Sequence, residues 1–460
     1  MKLFGTDGIR GQVNTGAMTP DKVLRVGMAL GSVLSDDHRR RMVIIGKDTR
    51  LSGYMIESAL TSGICSMGMN VTLVGPLPTP GVSFLTRALR LDAGIVISAS
   101  HNPFEDNGIK IFSSTGHKLS DDLEKRIEEL VADSSFPAKR PMGARIGRAY
   151  RLEDATGRYI EYIKSTIPRG MDLEGLKVVV DAANGASYKV TPILLNELGA
   201  EVITINNKPD GRNINDGCGS LHLEGLVKAV KDSGAHIGIG HDGDADRTLL
   251  VDEKGNIVDG DLIMGIGARE LKKHDRLKGN AVVATVMSNL GLEKYLEGQG
   301  IDLIRTQVGD RYVVEEMKRG GYNLGGEQSG HIVYFDYNTT GDGAITALQI
   351  LATMRRKNRL LSELTKGIDL YPQVLLNVKM DKSAPASNGK EKVLEIPAIK
   401  SAIEKAEGKL GDKGRMLVRP SGTEPKIRVM VEADSDAMAH EMAQYVASAI
   451  QTSVGGTIAA

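Results

Sequence analysis

One order of apolar runs occurs three times along this chain, and it restricts the fold more than any other feature. In the first occurrence Met42–Gly46 and Gly68–Val74 are short strand-type runs separated by a helical stretch. Ile95–Ile97 is a third such run, and Ile109–Phe112 follows it across a polar loop. The same order returns as Lys177–Val180, Gly199–Ile205, Ala235–Ile239 and Thr248–Val251. It returns again as Ala281–Ala284, Gly300–Ile304, Tyr322–Leu324 and Ile332–Phe335. Strand, helix, strand, helix, strand, loop, strand predicts a mixed sheet with helical crossovers. Three similar α/β domains with mixed sheets are therefore expected, and a prior of roughly 150 residues per domain accommodates them.

Beyond these units the pattern changes. Asp369–Gln373 reads as a linker, Val374–Met380 as a strand and Asp381–Lys392 as a polar loop. A helical stretch through Ile399–Ile403, a loop at Arg419–Pro425, a strand over Ile427–Val431 and a closing helix near Ala437–Ile450 complete a smaller C-terminal α+β domain. The expected boundaries are 1–150, 151–253, 254–368 and 369–460, with the domains around one central cleft.

Composition narrows the functions available. The 58 basic and 58 acidic residues cancel, which argues against a general nucleic-acid or membrane-surface binder. A local basic pocket for an anionic metabolite remains open. No apolar run approaches the ~20 residues of a membrane span, and the opening Met1–Gly8 lacks the apolar core of a signal peptide. Two cysteines, Cys65 and Cys218, suit a reducing cytoplasm, which is the expected location. The chain does not specify an oligomeric state, and a homodimer is left open.

Each of the three units places a polar, glycine-containing loop between its third and fourth strands. In the first, an apolar strand empties into Ser98, Ser100 and His101 before Pro103. A hydroxyl fixed at such a strand end can become a nucleophile or a phosphate carrier; the plainer reading is a serine-capped turn. In the second, Asp242, Asp244 and Asp246 stand at i, i+2 and i+4. Three anions this close repel unless a hard cation, Mg²⁺ or Ca²⁺, binds between them. An EF-hand is rejected although Glu253 falls at its last ligand position, because Arg247 takes the glycine slot and strands flank the loop. Gly238, Gly240 and Gly243 match a dinucleotide fingerprint, but no helix follows. In the third loop Glu327, Ser329 and His331 could read sugar hydroxyls or an amine. Arg419, Ser421, Gly422 and Thr423, with Lys426 and Arg428 nearby, suit a phosphate. Arg10 and Lys110 could stabilise charge on a moving phosphoryl group, or could be solvated surface cations.

In combination these segments resemble the α-D-phosphohexomutases. Ser98-Ala-Ser100-His-Asn-Pro, Asp242-Gly-Asp244-Ala-Asp246-Arg, Gly326-Glu327-Gln-Ser329-Gly-His331 and Arg419-Pro-Ser421-Gly-Thr423-Glu-Pro occur in that family's order, over essentially the whole chain. Phe4-Gly-Thr-Asp-Gly-Ile-Arg10-Gly, Gln328 and Thr340-Gly-Asp342-Gly resemble the members that act on glucosamine phosphates. Relatives acting on mannose or glucose phosphates usually carry methionine where Gln328 sits. Ala245 and Pro420 depart from the common pattern without removing a ligand.

The resemblance implies an enzyme phosphorylated on Ser100. It also implies one Mg²⁺ per subunit, held by Asp242, Asp244, Asp246 and the phosphoryl group on Ser100. Glucosamine 6-phosphate and glucosamine 1-phosphate would interconvert through glucosamine 1,6-bisphosphate, feeding UDP-N-acetylglucosamine and cell-wall synthesis. Lys110 would help move the acceptor proton, Arg10 and Arg247 would support charge, and His101 and His331 would be further participants. Glu327 and Ser329 would hold the ring, while Arg419, Ser421, Gly422, Thr423 and Arg428 would hold the phosphate that does not react. An intermediate that must reorient without escaping implies closure about a hinge near Tyr371–Pro372. Three rival readings stand beside this one: a phosphatase, a non-catalytic sugar-phosphate binder, and the same mechanism on mannose or glucose phosphates.

Overall fold

The strand Met42–Lys47 shows why the apolar runs exist. Its neighbours on both sides are parallel strands, Asn70–Pro76 and Ala93–Ile97, and helices cover both faces of such a sheet. Val43, Ile44 and Ile45 are consequently all buried, so the run reads as continuously apolar rather than alternating. On one face the helices Pro20–Leu34 and Gly53–Ser66 close over Val43, Ile45, Ile95 and Ile97. On the other, Thr79–Ala88 lies so close that a Cβ on Gly94 would stand 2.1 Å from Thr86 Oγ1; glycine is needed there for the approach.

The computed structural model describes residues 3–5, 7–34, 41–137, 139–380, 390–421 and 426–459. They fall into two compact units, Met1–Met287 with Gly300–Lys366, and Ser288–Gln299 with Gly367–Ala460.

The first unit contains three sheets, and the expected repeat is visible in their topology. In the first sheet the order is Asn70–Pro76, Met42–Lys47, Ala93–Ile97 and Asp106–Ser113, with only the last pairing antiparallel. In the second it is Glu201–Ile205, Lys177–Asp181, Ile237–His241 and Thr248–Asp252, again with only the last pairing antiparallel. In the third, Asp302–Thr306, Ala281–Thr285, Leu324–Gly326 and Ile332–Tyr334 follow the same rule. Every third-to-fourth connection therefore leaves the C-terminal end of a parallel strand and turns directly back, without a helix. Such strand ends are where open α/β sheets carry their chemistry. Short edge strands add to this plan: Ile9–Gln12 and Ala149–Arg151 extend the first sheet, and Ile257–Val258 the second.

The second unit has a wholly antiparallel sheet in the order Gly414–Pro420, Lys426–Ala433, Gln373–Lys379 and Thr457–Ala459. The helices Pro397–Leu410 and Asp436–Val454 supply its apolar cover. The helix Leu290–Gly298 belongs to this unit. Its first backbone N–H donates to the buried Glu432 at 2.8 Å, and Arg415 Nε donates to the same carboxylate at 2.6 Å. Of the segment read as a polar loop, 381–389 lies outside the described residues, and Lys390–Glu395 forms a 3₁₀ turn.

Candidate active site

The three loops of the first unit bring Ser100, the aspartates and His331 into one buried cluster. Ser100 is 1% exposed, and its hydroxyl donates to Asp242 Oδ2 at 2.7 Å, with His101 Nδ1 at 3.2 Å. Its backbone has φ of 54°, in the left-handed region. The approach of the two loops is close because residue 243 is glycine: a Cβ there would lie 2.6 Å from the Ser100 carbonyl oxygen.

Asp242, Asp244 and Asp246 are all buried, and one oxygen of each lies within 4.8 Å of the others. Burial, together with repulsion from Asp246 and Asp244, pushes the Asp242 carboxyl well above its ordinary range. Burial opposes the charge on Asp246 as well, but Lys110, His331 and Arg247 outweigh it and hold that carboxyl well below the usual range. Lys110 Nζ donates to Asp244 Oδ2 and Asp246 Oδ2 at 2.9 Å each. Burial would lower its pKa, but Asp244, Asp246 and Asp7 raise it well above that of a free lysine. In this arrangement Lys110 is held as an ammonium by three carboxylates and neither accepts a proton nor readily gives one up.

Whether these residues suit a divalent cation can be read from their unused oxygens. Asp244 Oδ1 and Asp246 Oδ1 are buried and receive no hydrogen bond among the described residues. Leaving a buried carboxylate oxygen undonated is costly, whereas an all-oxygen donor set is what Mg²⁺ prefers. Thr79 fixes one member of the set, donating from Oγ1 to Asp244 Oδ2 at 2.6 Å. The residues fit a hard cation.

Comparison with known proteins finds matches over nearly the whole chain. Models of the phosphoglucomutase/phosphomannomutase family match domain by domain: α/β/α domain I over 1–138, domain II over 157–255, domain III over 259–371 and the C-terminal domain over 375–449. Phosphoglucosamine mutase of Thermodesulfovibrio yellowstonii is 59% identical over 437 residues, 95% of this chain and 96% of that one. The chain belongs to the phosphoglucosamine mutase family. A further member, from Syntrophotalea carbinolica, is 52% identical over 455 residues, covering 99% of this chain and 98% of its own. Among solved structures, a phosphoglucomutase/phosphomannomutase family protein from Burkholderia thailandensis matches with a TM-score of 0.82 at 25% identity, over 99% of both chains. N-acetylphosphoglucosamine mutase of Aspergillus fumigatus shares the fold, with a TM-score of 0.67 at 17% identity over 99% of this chain and 96% of that one.

Within this phosphoglucosamine mutase family chain, most residues singled out from sequence meet near Ser100. His331 Nδ1 is 3.6 Å from Asp246 Oδ1, and its Nε2 accepts the Gly341 N–H at 3.0 Å. Burial would lower the His331 pKa, but Asp246, Asp310 and Glu327 raise it. His101 is pushed down to about 4 by burial and by the cations Arg247 and Arg10, so it is neutral at pH 7. The Arg247 backbone N–H donates to Asp242 Oδ1 at 3.2 Å, and its side chain lies 3.9 Å from Asp246. Glu327 accepts from the Gly309 N–H at 3.2 Å and from the Ser329 hydroxyl at 3.4 Å. Asp342 caps the helix Gly343–Lys357, accepting the Ile345 N–H at 2.9 Å.

In the second unit Arg419 and Arg428 face each other across adjacent strands. Burial first, and then Arg428, lowers the Arg419 pKa. Like charges directly opposed on a sheet are unfavourable, and an anion between them removes the penalty. Ser421 is buried beside them. Gly422 and Thr423 lie outside the described residues.

Sequence reasoning missed three members of the cluster. Asp7 pairs with Arg10, lies 3.3 Å from Lys110 and accepts from Lys118 Nζ at 2.5 Å. Lys118 also donates to Asp310 at 2.6 Å. Burial opposes the charge on Asp7, yet Lys110, Lys118 and Arg10 together hold its carboxyl far below the ordinary range. Asp7 could have been found, since it sits in the same opening motif as Arg10. Lys118 and Asp310 carry no comparable signal.

Proposed function

We propose that the protein interconverts glucosamine 6-phosphate and glucosamine 1-phosphate, using a phosphoryl group carried on Ser100. The observation that carries the reading is the Ser100 hydroxyl held 2.7 Å from Asp242, inside a buried aspartate triad with undonated oxygens. The substrate follows from near full-length similarity to proteins named phosphoglucosamine mutase, which favours the amino sugar over mannose or glucose phosphates.

O1 of glucosamine 6-phosphate attacks the phosphorus on Ser100, and the P–O bond to Ser100 Oγ breaks. The O1 proton ends on the departing Ser100 Oγ, with neutral His101 as the relay, as glucosamine 1,6-bisphosphate forms. After the bisphosphate turns over, Ser100 Oγ attacks the phosphorus on O6. The P–O6 bond breaks, the proton of the Ser100 hydroxyl passes to O6, and glucosamine 1-phosphate leaves with the phosphoserine restored. Asp242, Asp244 and Asp246 would hold Mg²⁺, which when bound neutralises charge on the phosphoryl oxygens.

Lys110, held as an ammonium by Asp244, Asp246 and Asp7, balances charge beside the transferring group. Arg10 and Arg247 add positive charge at the same place. Neutral His101, 3.2 Å from Ser100 Oγ, can share the hydroxyl proton. Glu327 and Ser329 take ring hydroxyls, with His331 behind them, and Arg419, Ser421, Gly422, Thr423 and Arg428 take the phosphate that does not react. Such an enzyme works in the cytoplasm, where its sugar phosphates are found.

The test compares glucosamine, glucose and mannose 6-phosphates, each primed with its 1,6-bisphosphate. A clear preference for glucosamine 6-phosphate supports the proposal, and preference for a non-amino sugar overturns the substrate. Release of inorganic phosphate without isomer would mark a phosphatase instead.

A further inference from the structure

Arg50 heads the large side chains that are completely buried, and none of the roles above uses it. It follows the strand Met42–Lys47, whose last residue lies opposite Ile97 in the parallel register. A guanidinium has five N–H donors, and here each has an acceptor. Nε donates to Asp48 Oδ2 at 2.8 Å. Nη2 donates to the carbonyls of Ser100 and Asn102, both at 2.9 Å. Nη1 donates to the Asp106 carbonyl at 3.0 Å and to that of Pro103. All but one of these bonds end on backbone carbonyls, three in the loop that carries Ser100 and one on Asp106, the first residue of the strand after it.

Asp48 extends the arrangement. It accepts the Ser98 hydroxyl at 2.7 Å, and Ser98 Oγ accepts the backbone N–H of Ser100 at 2.9 Å. The N–H of Ser100 is thus held through Ser98, and its carbonyl by Arg50 and by Asn215 Nδ2 at 2.9 Å. Between these holds Ser100 keeps φ at 54°. A residue with a Cβ adopts that conformation only where its surroundings over-determine it.

We propose that Arg50 is a positioning residue for phosphoryl transfer: with Asp48 and Ser98 it fixes the left-handed backbone of Ser100 and so aims the hydroxyl at Asp242. The inference rests on Ser100 being the phosphoryl carrier. Lysine cannot replace the arginine, because one ammonium donates three bonds from a single atom whereas the planar fork reaches five acceptors in fixed directions.

Arg50→Lys keeps the charge and loses the fork. Misplacing a reacting group by about 1 Å can cost about 10²-fold, and a kcat loss of that order is expected in the folded variant. KM stays within about threefold, since substrate contacts are untouched. Amide hydrogen exchange rises in 98–106 and not elsewhere in the first domain. Asn215→Ala, which removes one of the two donors to the Ser100 carbonyl, lowers kcat by a smaller factor, about threefold to tenfold.

A folded Arg50→Lys with kcat within about twofold of the unaltered enzyme overturns the proposal. So does a kcat loss accompanied by equally raised exchange across the whole domain, the mark of an arginine needed only for folding. If Arg50→Lys does not fold, Ser98→Ala and Asn215→Ala decide: slower phosphorylation of Ser100 in both supports positioning, and unchanged rates overturn it. Phosphorylation is read by intact mass with glucose 1,6-bisphosphate as donor, a readout that does not require glucosamine to be the substrate. Failure of glucosamine turnover in the unaltered protein would therefore sink the functional reading and leave this one decidable.

Discussion

The loop that carries Ser100 and the loop that carries Glu327 leave equivalent strands, in the first and third domains, and they are secured in opposite ways. Around Ser100 the side chains are buried and the bonds are short: 2.7 Å to Asp242, 2.9 Å from Arg50 to the carbonyl, and 2.9 Å from the backbone N–H to Ser98. Around Glu327 the backbone is anchored, with its N–H donating to the His331 carbonyl at 3.0 Å, but the side chains are loosely engaged. Glu327 accepts at 3.2 and 3.4 Å, Gln328 donates to Asp259 at 3.3 Å, and Ser329 is exposed. A group that must meet phosphorus along one line gains from preorganisation. Groups that must grip a sugar ring in two orientations gain from reach and adjustability. Under the proposed roles, one topology would provide both a rigid donor and an adaptable reader.

That contrast can be broken by mutation. Ser100→Ala should remove the carrier outright and lower mutase kcat by at least about 10³-fold. A coupled assay and intact mass read it together, the variant taking up no phosphoryl group. Asp244→Asn should cost about 10²- to 10³-fold by weakening stabilisation of the transferring charge. Chelation of the unaltered protein should abolish turnover, with Mg²⁺ restoring it and the far-ultraviolet circular dichroism unchanged throughout. Gly243→Ala drives a methyl group toward the Ser100 carbonyl, Ile214 and Asn215. Overpacking of this kind costs about 1–3 kcal/mol, to be read from urea unfolding midpoints.

The reader loop should respond more mildly. Glu327→Gln loses a charged acceptor worth about tenfold or somewhat more in kcat/KM. Ser329→Ala should change activity by no more than about fivefold, mainly through KM. If Ser329→Ala lowered kcat as far as Asp244→Asn does, the division between rigid donor and adaptable reader would be wrong.

The legibility of the fold follows from burial. Runs such as Val43–Ile45 and Val178–Val180 are apolar on both faces because helices cover both sides of a parallel strand, so the repeat shows in one dimension. Ala149–Arg151 and Ile257–Val258 escaped notice because strands of three exposed residues, or of one exposed and one buried, are too short to carry a periodicity. At the site, Ser100 and the three aspartates were legible because each lies just past a strand end. The Asp7–Lys118–Asp310 bridge was not, since Lys118 meets Asp7 across 111 residues of sequence and Asp310 across 192.

By itself the sequence determined which groups exist and where they fall: a hydroxyl, three carboxylates and a polar third loop, each past a strand end of a repeat, with two arginines close together in the last domain. Local pattern suffices for that, because hydrophobic period and loop composition are properties of neighbouring residues. Only the tertiary structure decided that Lys110 is a trapped cation, that the Asp242 and Asp246 carboxyls are shifted in opposite directions from their ordinary range, and that a wholly buried arginine holds the Ser100 backbone. Those outcomes depend on desolvation and on charges brought within 3–4 Å from different domains, and no spacing along the chain encodes them.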